Sequence, residues 1–271
     1  MKLRDRFWQW GHPEGCYNNG QDGWGHMGES RMTPMEGCLY LGISKTFMVP
    51  VGRKINRRQY NKSFKTLSAV GWECFGADQN PEKIEEIIRE SKEFPNITAA
   101  VFDDFWGKAL KRREAGEEVD PSVLWNIRKR LNSNEVRPID MWMVLYTREF
   151  GLDAENDASL QKYLDPFNGI IMWTWEERHV PLIPEKFEIF KKMTPNNRRM
   201  FGCYLYNFGE RKLATGKAVK WQLDFYREKI YSGEAEGVVF HTNTMADMDY
   251  ESYDVALDWM ALHGDEEIDD L

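Results

Sequence analysis

"TAAVFDDFWG" (residues 98–107) is a short β-type run that stops at two adjacent carboxylates, Asp103 and Asp104, with a tryptophan two positions further on. Side chains alternate along a strand, so Ala99, Val101 and Asp103 share one face and Ala100, Phe102 and Asp104 the other. Small residues suit the crowded inside of a closed barrel, and a phenylalanine suits a surrounding helix layer. This places Asp103 inward at the strand tip, with Asp104 on the rim.

Seven other runs share this character: "DRFWQW" (5–10), "TFMVPV" (46–51), "SAVGWEC" (68–74), "DMWMVLY" (140–146), "GIIMWTW" (169–175), "MFGCYLY" (200–206) and "GVVFHT" (237–242). Each is followed by a helix candidate. Thr33, Pro34 and Glu36 supply an N-cap, a proline at the first helical position and a capping-box acid, with Gly42 as the stop. Asn80-Pro81 and Asp120-Pro121 repeat the start signal, and Val219, Leu223, Tyr226 and Ile230 line one face of a helix ending near Gly233. Eight βα units over residues 1–271 predict a single (β/α)8 barrel. A doubly wound open sheet is the alternative, but "GHPEGCYNNGQDGWG" lacks the GxGxxG order such a sheet carries after its first strand.

With 36 basic against 44 acidic residues, a formal charge of −8, the chain would repel a nucleic-acid backbone. No apolar run approaches the roughly 18 residues that would span a bilayer. Cys16, Cys38, Cys74 and Cys203 show no zinc or CxxC spacing and read as reduced, buried thiols. No secretion signal is visible, which suits a cytoplasmic protein or an exported one whose leader precedes this sequence. The acidic end "GDEEIDDL" (264–271) reads as a solvated terminus.

In such a barrel chemistry belongs at the C-terminal strand ends. Seven of eleven tryptophans, Trp8, Trp10, Trp24, Trp72, Trp106, Trp173 and Trp175, fall in or near that rim. Indole faces stack on sugar rings, and the N–H serves hydroxyls. Glycoside hydrolysis needs two carboxyl groups, roughly 5–5.5 Å apart for retention or about 6.5–9.5 Å for inversion. Asp103 and Glu176 are the expected pair, with Asp104 as a further acid and Glu73 as substitute partner. Trp106, Trp173, Trp175 and Tyr206 would form the platform, and His12, Arg148, Asn207 and His241 would contact hydroxyls. The reading calls for a carbohydrate partner and no cofactor. The long, glycine-containing segment 11–32 and the charged segment "GKALKRREAGEEVD" (107–120), read as a loop, should both border the pocket. Two alternatives stand beside it. His12 and His241, on strands adjacent in a closed ring, could hold zinc or manganese with Glu14 or Asp103 in a hydrolase or isomerase. A barrel that binds carbohydrate without catalysis is the other.

At "FDDFW" (102–106), "VLYTREF" (144–150), "IIMWTWEE" (170–177), "FGCYLYNFG" (201–209) and "GVVFHTN" (237–243) the chain resembles uncharacterised bacterial barrel proteins regarded as glycoside hydrolases. The likeness runs from Asp5 to about Met260. By position it implies Asp103 as nucleophile or base and Glu176 as general acid. Chitinase-type barrels also end their fourth strand in acids, but their DxxDxDxE spacing is absent here, which argues against substrate-assisted cleavage of N-acetylated sugars.

Overall fold

The computed structural model describes residues 1–20 and 23–269. Eight parallel strands close into a ring: β1 (Phe7–Gly11), β2 (Lys45–Met48), β3 (Ala69–Glu73), β4 (Ile97–Phe102), β5 (Asp140–Tyr146), β6 (Gly169–Trp173), β7 (Arg198–Tyr204) and β8 (Gly237–His241). The ring is completed by β1 against β8, with Phe7 opposite Val238 and Trp10 opposite His241. The expected (β/α)8 barrel is thus formed, and closure leaves no unpaired strand edge.

Around it lie α1 (Pro34–Leu41), α2 (Arg57–Ser63), α3 (Glu82–Ser91), α4 (Phe105–Glu114), α5 (Pro121–Asn132), α6 (Ala154–Leu164), α7 (Ile183–Met193), α8 (Gly216–Tyr231) and α9 (Glu251–His263). The start signal before α1 acts as its spacing implies. Thr33 Oγ1 accepts from the Glu36 N–H at 3.3 Å, Glu36 Oε2 accepts from the Thr33 N–H at 2.8 Å, and Gly42 stops the helix at φ +66°. Thr33→Ala should cost about 1 kcal/mol, read as a lowered urea midpoint with an unchanged slope.

The core has two compartments. Between sheet and helices lie Trp72, Phe102 and Phe201, while Trp8, Phe47, Ala99, Val101, Trp142, Trp173 and Val239 fill the ring. Large rings fit inside because the neighbouring strand gives way with glycine. A Cβ on Gly71 would collide with the Phe47 ring, one on Gly169 with Trp142, and one on Gly202 with Trp173. Each glycine sits beside its aromatic partner in the parallel register: Phe47 opposite Gly71, Trp142 opposite Gly169 and Trp173 opposite Gly202.

One expectation is corrected. The charged segment after Trp106 is mostly helix: α4 buries Phe105, Trp106 and Ala109 and turns Lys111 and Arg113 to water. Charge density conceals its narrow apolar stripe. The acidic end keeps Asp265, Glu267 and Asp269 exposed, as a solvated terminus should, while its backbone is held, the Leu3 N–H donating to Glu266 O at 2.8 Å and the Ile268 N–H to Met1 O at 2.9 Å. Asp265 accepts from Lys2 and Arg4 at 3.0 and 2.9 Å. Asp270 and Leu271 lie outside the described residues.

Candidate active site

At the C-terminal mouth of the ring is a cavity of about 150 Å³. Trp10 and Trp173, edge to face with centroids 5.6 Å apart, close it toward the barrel interior. Tyr17 and Trp24 from the β1–α1 segment, Trp175 after β6 and Phe208 after β7 form its upper walls. The segment 11–32 therefore borders the site as expected, apart from residues 21 and 22, which lie outside the described residues.

One wall is acidic. Asp103 continues the inward face of Ala99 and Val101 and lines the cavity. Asp104, expected on the rim, lines it as well. Its backbone is left-handed (φ +51°, ψ +28°), which breaks the strand alternation and brings consecutive carboxylates to one space. Tyr146 Oη donates to Asp104 Oδ1 at 2.9 Å, and Lys108 Nζ stands 3.8 Å from the other oxygen. Tyr204 lines the cavity as well. Burial first, and then the Asp104 charge, pushes the Asp103 carboxyl up to about 8, with Lys108 opposing. Just behind, burial raises Glu149 to about 7, although its Oε2 accepts the Tyr146 N–H at 2.9 Å.

The histidines expected to approach each other do so, with His12 Nε2 and His241 Nε2 3.2 Å apart. Asn243 joins the two strand ends, its Oδ1 accepting from the His12 N–H at 2.8 Å and its Nδ2 donating to His12 O at 3.0 Å. Burial holds His12 down at about 4 and His241 well below its ordinary value, so both rings are neutral near pH 7. Among the described residues no three His, Cys, Asp or Glu side chains gather as a metal-binding group. Glu14 is turned to the Tyr60 hydroxyl at 3.0 Å.

Of the other residues expected here, Trp173 and Trp175 line the cavity. Arg148 stands exposed at its edge, its guanidinium 4.8 Å from the Tyr146 ring centre and 5.0 Å from that of Trp175. Trp106 is buried in the helix layer against Tyr163. Tyr206 pins the β1–α1 segment by donating to Trp24 O at 3.0 Å, and Asn207 holds the loop after β7 by donating to Glu210 at 2.7 Å. Glu73 accepts the Phe75 N–H at 2.7 Å, outside the cavity lining, and burial raises its carboxyl. Glu176 is not brought to the cavity with Asp103; it pairs with Arg178. Tyr17, Tyr146, Tyr204 and Phe208 were not among the expected site residues. Tyr204 had a signal, since it lies two residues beyond Gly202 on the same inward face.

No protein-family model matches the chain, and no curated protein does. Among solved structures it is similar to active domain 2 of the thermostable chitinase from Pyrococcus furiosus, at 11% identity and TM-score 0.62 over 97% of both chains. The PgaB (BpsB) glycoside hydrolase domain from Bordetella bronchiseptica is similar over 82% of this chain and 90% of its own, at 10% identity and TM-score 0.52. The tryptophan synthase α-subunit from Pyrococcus furiosus is similar over 98% of both chains, at 10% identity and TM-score 0.50. At such identities the likeness is one of fold, and barrels of different chemistry share it.

Proposed function

We propose that the protein is a glycoside hydrolase whose chemistry is carried by the carboxyl groups after β4. The observation that carries this is the placement of two consecutive carboxyl groups in one aromatic cavity, Asp104 engaged by a tyrosine hydroxyl and a lysine, and Asp103 beside it with its carboxyl pushed up by burial and by the Asp104 charge. A carboxylic acid that keeps its proton near pH 7 is what departure of a glycosidic oxygen requires. Asp103 is the general acid, and Asp104, oriented by Tyr146, is the carboxylate that steadies or attacks the sugar carbon. This departs from the roles expected from resemblance, which gave the acid's part to Glu176. The likeness of the fold to a chitinase domain and to a glycoside hydrolase domain supports the reading. The cavity is smaller than the roughly 300–1,000 Å³ usual for drug-sized ligands, which suits a single sugar ring between Trp10, Trp173 and Trp175.

A chromogenic glycoside screen tests this. An active substrate should be lost with Asp104→Asn, by about 10²-fold or more, and kept within a few-fold with Glu176→Gln. The reverse ranking would restore the pair Asp103 and Glu176. Binding of sugars without turnover in any form would leave a non-catalytic barrel.

A further inference from the structure

Arg148 follows β5 and Arg211 follows β7, and both guanidiniums rest on rings of the cavity wall. That of Arg148 is 4.8 Å from the Tyr146 ring centre and 5.0 Å from that of Trp175, and that of Arg211 is 6.0 Å from the Trp24 ring centre. Trp24 and Trp175 meet edge to face with centroids 5.3 Å apart, so the two arginines belong to one aromatic wall. Other cations on this face of the barrel are neutralised. Lys108 stands 3.8 Å from Asp104, Lys212 lies 3.3 Å from Glu210, and Arg178 pairs with Glu176. Arg148 and Arg211 are exposed, and among the described residues neither guanidinium has a carboxylate or a hydrogen-bond acceptor. Glu149, next to Arg148 in the chain, is engaged by the Tyr146 N–H at 2.9 Å. The Arg148 charge also reaches inside: burial pushes the hydroxyl of Tyr204, a lining residue, well up, and that charge opposes the rise.

We infer that Arg148, with Arg211 as a second contact, takes an oxyanion carried by the sugar where it leaves the cavity, a carboxylate or a sulfate, so that the substrate class is an acidic glycan. Contact with the rings restrains the guanidinium without using its N–H donors, and its planar fork matches two oxygens of an anionic group. The chain carries a formal charge of −8, and such a surface repels anions. Two unneutralised guanidiniums at the mouth therefore mark the place where an anion is drawn in. The acidic wall does not call for a cationic sugar in its stead, because Asp104 already has Lys108 and the Tyr146 hydroxyl. The inference rests on the glycosidase reading for the identity of the ligand as a sugar. It adds Arg148 as a residue that determines specificity.

The test is titration calorimetry at low and high salt with methyl glucuronide, methyl galacturonide and a sulfated galactoside, set against methyl glucoside, methyl galactoside and methyl glucosaminide. An acidic sugar that binds about tenfold or more tightly than its neutral counterpart, and loses that margin in Arg148→Gln while the neutral sugar is unchanged, supports the inference. Whether the uronide or the sulfated sugar shows the margin names the source of the oxyanion. Arg148→Lys should keep part of it, since a point charge remains where the fork is lost, and Arg211→Gln should lose less than Arg148→Gln. The margin should shrink as salt rises. Both side chains are exposed, so the variants should melt near wild type. A neutral glycoside bound as tightly as its acid, or a glucosaminide bound more tightly than a glucuronide, overturns the inference, and cleavage of that same sugar's nitrophenyl glycoside spares the glycosidase reading. Acetate or inorganic sulfate bound as tightly as the acidic sugar also overturns it, because the sugar then adds nothing. An acidic sugar held through Arg148 whose nitrophenyl glycoside is never cleaved supports the oxyanion site and removes the glycosidase reading. No binding by any of these sugars overturns both.

Discussion

Asp103→Asn is expected to lower glycoside cleavage by about 10²–10⁴-fold in kcat, because the amide can neither donate nor recover the proton a departing sugar oxygen needs. The same group predicts the pH profile. With its carboxyl pushed up to about 8 by burial and by Asp104, the acid form prevails at neutral pH, and activity should fall as pH rises through that value. Stability carries the matching sign. In the unfolded chain Asp103 titrates near 4, so between about 4 and 8 the folded state binds more protons and loses stability as pH rises. Asparagine removes that dependence. Urea midpoints at pH 5 and pH 9 should therefore lie further apart in wild type than in the variant, with the variant relatively favoured at the higher pH. Equal separations would mean that Asp103 is an ordinary solvated carboxyl and would remove it as the general acid.

Gly202→Ala is expected to be among the most disruptive single methyls in the barrel. The added carbon would fall within the Trp173 ring's contact radius, against its fused edge, on a strand held in register on both sides. Overpacking of this kind costs about 1–3 kcal/mol, and here the upper end or beyond, because neither strand can slide and the indole is wholly buried. The loss should not be confined to stability. Trp173 touches Trp10, Tyr204 and His241, so a ring driven off its seat opens the inner wall of the cavity. Thermal melts should show a drop of several degrees or more, and tryptophan fluorescence of the folded variant should shift. A melt within a degree of wild type with unchanged fluorescence would show that the interior has slack that its geometry denies.

The barrel was legible because its signals are local. Alternation of small and large residues in "TAAVFD", the capping box at Thr33 and Glu36, and the proline start at Asp120-Pro121 act within one or two turns of chain and formed as read, whereas at Asn80-Pro81 the helix begins a residue later, at Glu82, with Pro81 in the cap position. The inward direction of Asp103 and the meeting of His12 with His241 followed from strand period and ring closure alone. The misread parts have a common cause. Trp106 and the charges after it form a helix whose inner face is only a few residues wide, and Tyr206 and Asn207 serve the loops instead of the cavity because their partners, Trp24 and Glu210, lie on turns with no periodic pattern.

What the sequence determined by itself is the ring, its polarity and which residues stand at strand tips, since these depend on periods of two and 3.6 residues. What only the tertiary structure decided is which tips share a space. The left-handed turn at Asp104 joins it to Asp103, Arg178 takes up Glu176, and Val49 O holds the His12 ring. Each depends on one backbone angle or one contact between separate turns of chain, and no local pattern encodes either.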